Sequence, residues 1–146
     1  QLEENCMFAA KLEMFSSLKG NKILLVEDNI INVMVAKQFL LQWDLEIVHV
    51  DNGEKAIEAL TNEDFDVILM DIQMPVMDGF TATTIIRKLE NKSKREVPIV
   101  ALTASALTEV QERVFKVGMN DFVTKPFNPN ELYSKLSLQI PKKKNV

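Results

Sequence analysis

Short apolar runs alternate with longer amphipathic stretches along most of this sequence, and that alternation constrains the fold more than any other feature. The apolar runs are predicted to be strands, at residues 22–26, 46–50, 67–70, 99–102 and 121–124. The stretches that follow them are predicted to be helices, at residues 30–43, 53–62, 81–89, 108–117 and 129–140. Along the first of these helices, one side is predicted to be formed by Ile31, Val35, Phe39 and Gln42. A strand followed by a helix, repeated in this way, predicts a parallel sheet with helices on both faces. The fold class is therefore α/β, open and doubly wound.

The size and composition of the chain fit one soluble domain. It has 146 residues, of which 47% are hydrophobic and 26% are charged. A net charge of −4 offers no basic surface for nucleic acid, and no apolar stretch approaches the ~18 residues that cross a bilayer. Cys6 is the only cysteine, which excludes an intrachain disulfide and fits a reducing, cytoplasmic setting.

Two terminal segments stand apart from the predicted domain at residues 21–140. Residues 1–20 carry apolar side chains at roughly helical spacing, namely Phe8, Leu12, Phe15 and Leu18. This segment is either a linker that packs loosely or a helix that binds a partner or a second copy of the domain. Residues 141–146 form a short basic tail.

Polar side chains follow the ends of the predicted strands. Glu27 and Asp28 follow the first strand, Asp71 the third, Thr103 the fourth and Lys125 the fifth. The carboxyl ends of the strands in an open parallel sheet line the crevice where ligands bind, so these groups are expected to meet. Two carboxylates about 4 Å apart repel by ~4 kcal/mol at an effective dielectric near 20. The cluster therefore needs a cation in addition to the single lysine.

Mg²⁺ is the cation that such a cluster favours, because it binds one or two carboxylates, a carbonyl oxygen and several waters. A metal beside carboxylates, a lysine and a hydroxyl is typical of phosphoryl-group chemistry. A carboxylate can itself be the nucleophile and form an acyl phosphate. Asp71 is the candidate, because its strand lies in mid-sheet between the strands that lead to Asp28 and Thr103. Any one of these residues alone is more often a helix cap; their coincidence makes that explanation improbable.

Four segments of the chain resemble the signature segments of the receiver domain of two-component signalling: LLVEDN, VILMDIQMPVMDGF, PIVALTA and GMNDFVTKPF. The resemblance covers residues 21 to about 140, and it is greatest to the receivers of hybrid sensor histidine kinases. It implies a flavodoxin-like sheet of five strands in the order 2-1-3-4-5. In that order the second strand lies at an edge, so Asp51 at its tip is expected to stay outside the site.

The resemblance also implies a catalytic role for each strand-end residue. Asp71 matches the phosphoacceptor, and Lys125 matches the lysine that pairs with a phosphoryl oxygen. Thr103 is expected to donate a hydrogen bond to another phosphoryl oxygen. Asp28 and Asp71 match direct metal ligands, whereas Glu27 is expected to act through water. The backbone carbonyl of Gln73 is the remaining protein ligand that the resemblance implies.

A second group of residues is implied to control the response to phosphorylation. Thr103 and Phe122 match the pair that changes conformation, and the Lys125–Pro126 bond is expected to be cis. The side chains of Gln73 and Ser105 are expected to influence how long the acyl phosphate lasts.

The function that the resemblance implies is that of a phosphorelay component. The domain takes a phosphoryl group from the phosphohistidine of a histidine kinase or histidine phosphotransfer protein, in a Mg²⁺-dependent reaction, and then changes conformation. It catalyses only its own phosphorylation and dephosphorylation. A homodimer is expected either through residues 1–20 or through the surface of residues 108–117, 121–124 and 129–140. The expected location is the cytoplasm, alone or as the cytoplasmic part of a membrane-anchored sensor kinase.

Two other functions stay open. A phosphohydrolase that forms an aspartyl phosphate usually needs a general acid two residues after the nucleophile, where this chain has Gln73. The second alternative is a receiver that binds partners without being phosphorylated. The full set of acidic, threonine and lysine groups argues against it. The chain is not expected to be a kinase, because its four glycines are too scattered for an ATP-binding loop. His49 lies in a predicted strand, which is unsuitable for a phosphodonor.

Overall fold

The sheet of the computed structural model has the predicted topology. The structure describes residues 18–74 and 76–140, so the predictions for the N-terminal segment up to residue 17 and for the basic tail lie outside it. The strands are β1 (Lys22–Val26), β2 (Glu46–Val50), β3 (Val67–Asp71), β4 (Ile99–Thr103) and β5 (Asp121–Thr124). All are parallel, in the order β2-β1-β3-β4-β5. The predicted flavodoxin-like fold is confirmed.

The described chain has six helices around this sheet. They are α1 (Ile30–Gln42), α2 (Gly53–Asn62), α3 (Gly79–Ile86), α4 (Lys92–Arg95), α5 (Thr108–Lys116) and α6 (Pro129–Gln139). An Asn or Asp side chain caps most of them by accepting backbone N–H bonds in the first turn, as Asp78 does for α3. The single-turn helix α4 was not predicted from the sequence. None of the helices described is both long and apolar enough to cross a membrane.

Two hydrophobic cores lie on opposite faces of the sheet. Residues of α1 and α6 cover one face, and residues of α2, α3 and α5 cover the other. The strands β1, β3 and β4 are buried almost throughout, because both of their faces are covered. This explains why their sequences are nearly continuous apolar runs.

The buried side of α1 differs from the prediction. The sequence suggested one side formed by Ile31, Val35, Phe39 and Gln42, yet the residues that α1 buries are Val33, Ala36 and Leu40. Ile31 is exposed. Nine of the thirteen residues of this helix are apolar and they are spread around it, so its hydrophobic periodicity does not indicate which side faces the core.

Candidate functional site

The strand-end residues meet because the sheet's backbone ladder continues a step beyond the strands. Glu27 N–H donates to the Val50 carbonyl at 3.1 Å, and Lys125 N–H donates to the Thr103 carbonyl at 2.8 Å. Asp71 is itself the last residue of β3, in register with Leu102 of β4. The ladder therefore holds these residues where the parallel strands end, at one edge of the sheet that we call the carboxyl edge.

Three carboxylates converge at the carboxyl edge. Ligand oxygens of Glu27, Asp28 and Asp71 all lie within 4.8 Å of one another. Glu27 and Asp71 are buried, whereas Asp28 is exposed. Lys125 is the counter-charge: its Nζ lies 2.8 Å from Glu27 Oε2 and 3.0 Å from Asp71 Oδ2. One ammonium group thus pairs with two carboxylates of a cluster of three.

Burial and the neighbouring charges shift the pKa values of two members of this cluster, Glu27 and Lys125. Burial raises the pKa of Glu27, and the nearby Asp71 adds to that effect against the opposing attraction of Lys125. Burial would lower the pKa of Lys125, but its ion pairs with Glu27 and Asp71 outweigh this and raise it. The site therefore holds its lysine charged while it disfavours the ionisation of Glu27.

Backbone N–H groups fix the free oxygens of the two buried carboxylates. Asp71 Oδ1 accepts a hydrogen bond from Gln73 N–H at 3.0 Å, and Glu27 Oε1 accepts one from Asn29 N–H at 3.2 Å. Both bonds run between residues two positions apart, so the local chain orients each carboxylate.

An open cavity of about 180 Å³ lies over the cluster. Its lining comprises Glu27, Asp28, Asn29, Asn32, Asp71, Ile72, Gln73, Ala104 and Lys125. The possible ligand atoms are hard oxygens. The carboxylates outnumber the cations, and a divalent ion would compensate this excess of negative charge. The residues present therefore fit Mg²⁺, and no described histidine or cysteine joins the group.

Thr103 and Ser105 contact each other instead of the cavity. The Thr103 hydroxyl donates to the Ser105 carbonyl at 3.1 Å and accepts from Ser105 N–H at 3.0 Å. Thr103 is buried beside Asp71 on the neighbouring strand, but neither it nor Ser105 lines the cavity. The Lys125–Pro126 peptide bond is cis, which is the conformation that the resemblance implies.

Two residues that could be mistaken for site residues have other contacts. Asp51 pairs with Lys55 at 3.0 Å on the exposed start of α2, and it is absent from the cavity lining. His49 is exposed on β2, and its Nε2 lies 2.8 Å from the Glu27 carbonyl, to which it donates.

Sequence reasoning missed how the loop between β3 and α3 is packed. A Cβ atom at Gly79 would lie 2.3 Å from the Asp71 carbonyl oxygen, so only glycine allows α3 to start so close to the phosphoacceptor candidate. Gly53 N–H donates to the Met77 carbonyl at 3.1 Å, which attaches the same loop to α2. The short sequence separation of Asp71 and Gly79 indicates that this loop is tight. It does not show that the Asp71 carbonyl oxygen lies against Gly79.

A doubly wound sheet with a carboxylate cluster and a lysine at its carboxyl edge is the arrangement expected of a signalling receiver domain. The family model of the response regulator receiver domain matches residues 23–137, and this chain belongs to that family. The predicted family membership is thereby confirmed.

Known relatives agree with this assignment. Hybrid signal transduction histidine kinase B of Dictyostelium discoideum is 42% identical over 80% of this chain and 6% of its own length. The receiver domain of a sensor histidine kinase from Pseudomonas aeruginosa PAO1, with magnesium coordinated in its active site cleft, is 41% identical with a TM-score of 0.76. That match covers 83% of this chain and 98% of the solved one.

A third relative was solved together with a partner. The receiver domain of the response regulator Ssk1 of Saccharomyces cerevisiae, in complex with the histidine phosphotransfer protein Ypd1, is 31% identical with a TM-score of 0.78. The match covers 84% of this chain and 90% of the other. The present chain spans only 6% to 18% of the length of the curated relatives that it matches first.

Proposed function

We propose that this domain accepts a phosphoryl group on Asp71 from a phosphohistidine, in a reaction that requires Mg²⁺. The observation that carries the proposal is the cluster of Glu27, Asp28 and Asp71 with Lys125 as its only described counter-charge. Asp71 is the central member, because it contacts Lys125 and lines the cavity at the end of a mid-sheet strand. The magnesium-bound receiver from Pseudomonas aeruginosa supports the same choice of metal.

The transfer is an in-line substitution at phosphorus. An Asp71 oxygen forms the new P–O bond while the P–N bond to the donor imidazole breaks, and the imidazole leaves with the electron pair and takes up a proton. Lys125 pairs with an oxygen of the moving group, and Gln73 N–H keeps the Asp71 carboxylate oriented. A bound Mg²⁺ would be held by Asp28 and Asp71, with Glu27 behind them, and would neutralise charge on the phosphoryl oxygens.

Phosphorylation then shifts the conformation of the domain. The acyl phosphate carries about two negative charges where Asp71 carried one, and it adds acceptor oxygens. Thr103 donates to one of them, which requires it to release the Ser105 carbonyl. The space that Thr103 leaves is filled by Phe122, and the surface formed by α5, β5 and α6 changes shape. This is a population shift between two packings, driven by contacts made in only one of them.

The phosphodonor protein binds over the outward side of α1. Ile31, Met34 and Leu41 lie along that side and are 67%, 66% and 60% exposed. Large apolar side chains grouped on an exposed surface are typical of interaction sites, so this side of α1 is expected to be covered by a partner. Asn29 and Asn32 at the start of the same helix line the cavity, so a partner on α1 has its reactive side chain beside Asp71.

The first test is labelling by a small-molecule phosphodonor such as acetyl phosphate, with and without Mg²⁺. Asp71→Asn is expected to abolish labelling, because an amide is not a nucleophile here, while the domain remains folded. Asp51→Asn is the matched control, and it should label like the wild-type domain. Undiminished labelling of Asp71→Asn would overturn the proposal, and steady turnover of a phosphomonoester would favour a phosphohydrolase.

The second test separates partner binding from chemistry. Met34→Glu should reduce phosphotransfer from a phosphorylated histidine phosphotransfer protein at least tenfold and leave labelling by acetyl phosphate unchanged. Leu138→Glu, which places the same charge at an exposed apolar position of α6, is the control. Equal phosphotransfer by both variants and the wild-type domain would show that the partner does not use α1.

A further inference from the structure

A lysine of α6 lies over the ring of Phe122. Lys135 Nζ is 4.9 Å from the centroid of that ring and 2.7 Å from Asp121 Oδ1. Asp121 Oδ1 also accepts the Phe122 backbone N–H at 2.8 Å. One carboxylate oxygen therefore holds both the lysine and the backbone of the residue whose ring the lysine covers.

A residue of α5 contacts the same ring. Phe115 packs edge-on against Phe122, with ring centroids 6.2 Å apart at an angle of 74°. Phe122 is half-buried, so its ring lies between solvent and the core beneath α5. In this arrangement the Thr103 hydroxyl is engaged by Ser105, as expected of the unphosphorylated domain.

We propose that Lys135 is a positioning residue that stabilises the unphosphorylated arrangement by holding the Phe122 ring in its present place. The inference rests on the proposed function, since it assumes that Phe122 moves when Asp71 is phosphorylated. A ring that turns inward leaves the ammonium group, so the cation–π contact exists in only one of the two states. A contact present in one state shifts the equilibrium toward that state.

The expected size of the effect follows from the exposure of the contact. Lys135 and Asp121 are partly exposed, and both a cation–π contact and an ion pair are modest in such surroundings. Loss of the lysine is therefore expected to strengthen binding of a phosphoryl analogue by about three- to tenfold.

The experiment measures the affinity of the domain for beryllofluoride, a phosphoryl analogue, in saturating Mg²⁺, by NMR titration. The Phe122 amide resonance serves as a reporter of the ring's position. Lys135→Met should bind beryllofluoride about three- to tenfold more tightly and shift the Phe122 resonance toward its bound position before beryllofluoride is added. Lys135→Arg keeps both the charge and the ring contact, so it should restore wild-type affinity.

Lys22→Met is the matched control. Lys22 is also ion-paired, with Glu63, and its Nζ lies 5.5 Å from the Phe65 ring centroid, but it begins β1 at the opposite end of the sheet. Wild-type affinity in Lys135→Met with an unshifted Phe122 resonance would overturn the inference, as would equal tightening in Lys22→Met. If the wild-type domain itself bound no beryllofluoride, the proposed function would fail and this inference with it.

Discussion

The two ends of the sheet both bury charged side chains, but they balance those charges differently. At the carboxyl edge, Lys125 is shared by Glu27 and Asp71, with Asp28 close by. At the other end, which we call the amino edge because the strands begin there, the cation is the half-buried Arg87. No described carboxylate lies within ion-pair distance of Arg87.

Neutral acceptors surround Arg87. Its guanidinium donates to the backbone carbonyls of Arg95, Val97 and Gly118 and to Asn120 Oδ1, at 2.7 to 2.9 Å. Burial lowers the pKa of Arg87, which shows that removing its guanidinium from water costs free energy. These four bonds connect the end of α3 to the chain before β4 and β5, which makes Arg87 a structural residue.

The comparison teaches how to distinguish a structural buried charge from a functional one. At the amino edge, the dipoles of carbonyl and amide groups stabilise the charge of Arg87, and no like charges lie in contact with it. The carboxyl edge leaves like charges in contact, an arrangement that costs stability unless a cation or phosphoryl chemistry makes use of it.

The largest effect is expected at the amino edge. Arg87→Met should lower the free energy of unfolding by about 3 kcal/mol, because three partly buried carbonyls lose a charged donor together. Urea denaturation measures this, and Arg87→Lys should lose less because it keeps a cation. A loss below about 1 kcal/mol would show that water replaces the guanidinium and that Arg87 is not structural.

At the carboxyl edge, Lys125→Met is expected to lower the free energy of unfolding by about 2 kcal/mol without Mg²⁺, since two carboxylates lose their cation. Added Mg²⁺ should stabilise this variant more than the wild-type domain. Thermal unfolding with and without the metal provides the measurement. Lys55→Met, at an exposed ion pair, should change little. Equal stabilisation of Lys125→Met and wild type by Mg²⁺ would contradict the charge argument.

Glu27→Gln sharpens the comparison through pH. Folding raises the pKa of Glu27, so its carboxyl group favours the folded state fully only at pH values below its pKa in the unfolded chain. That contribution to stability is lost as the pH rises through its pKa in the folded domain. Without metal, the variant should therefore gain about 1 kcal/mol at neutral pH and nothing below about pH 4. Denaturation at several pH values tests this, with the exposed Asp28→Asn as control. A gain that is the same at all pH values would point to packing instead.

The smallest effect concerns backbone conformation at the two ends. Val76, in the loop after Asp71, has φ +72°, which a β-branched residue rarely adopts, whereas Gly118 near Arg87 has φ +103°. Val76→Asn should gain about 0.5–1 kcal/mol, because asparagine tolerates this conformation. Gly118→Ala should lose about 1 kcal/mol. A less stable Val76→Asn would mean that the valine side chain makes contacts worth more than the strain.

Local sequence patterns predicted the strands and most helices well. The apolar runs of β1, β3 and β4 are continuous because both faces are buried, and their ends are marked by the polar residues Glu27, Asp71 and Thr103. The full order of the five strands came from the resemblance, although the central place of β3 was already expected from the polar residues at the strand ends.

Features that depend on distant parts of the chain were not predictable. Arg87 and Lys135 look like ordinary surface residues in the sequence, and their partners lie 8 to 33 and 14 residues away. The inward side of α1 was predicted wrongly, because its apolar residues are spread around the helix and no periodicity marks the side that faces the core. The convergence of Glu27, Asp28 and Asp71 was predictable, since parallel strands end at the same edge.

The most direct test of the central claim is to locate the phosphoryl group. The domain would be phosphorylated by a phosphohistidine donor in Mg²⁺, the acyl phosphate reduced with borohydride, and the modified residue identified by mass spectrometry. We expect reduction at Asp71 alone, and none when Mg²⁺ is chelated. Modification at Asp28, Asp51 or any other carboxylate, or equal modification without the metal, would contradict the account.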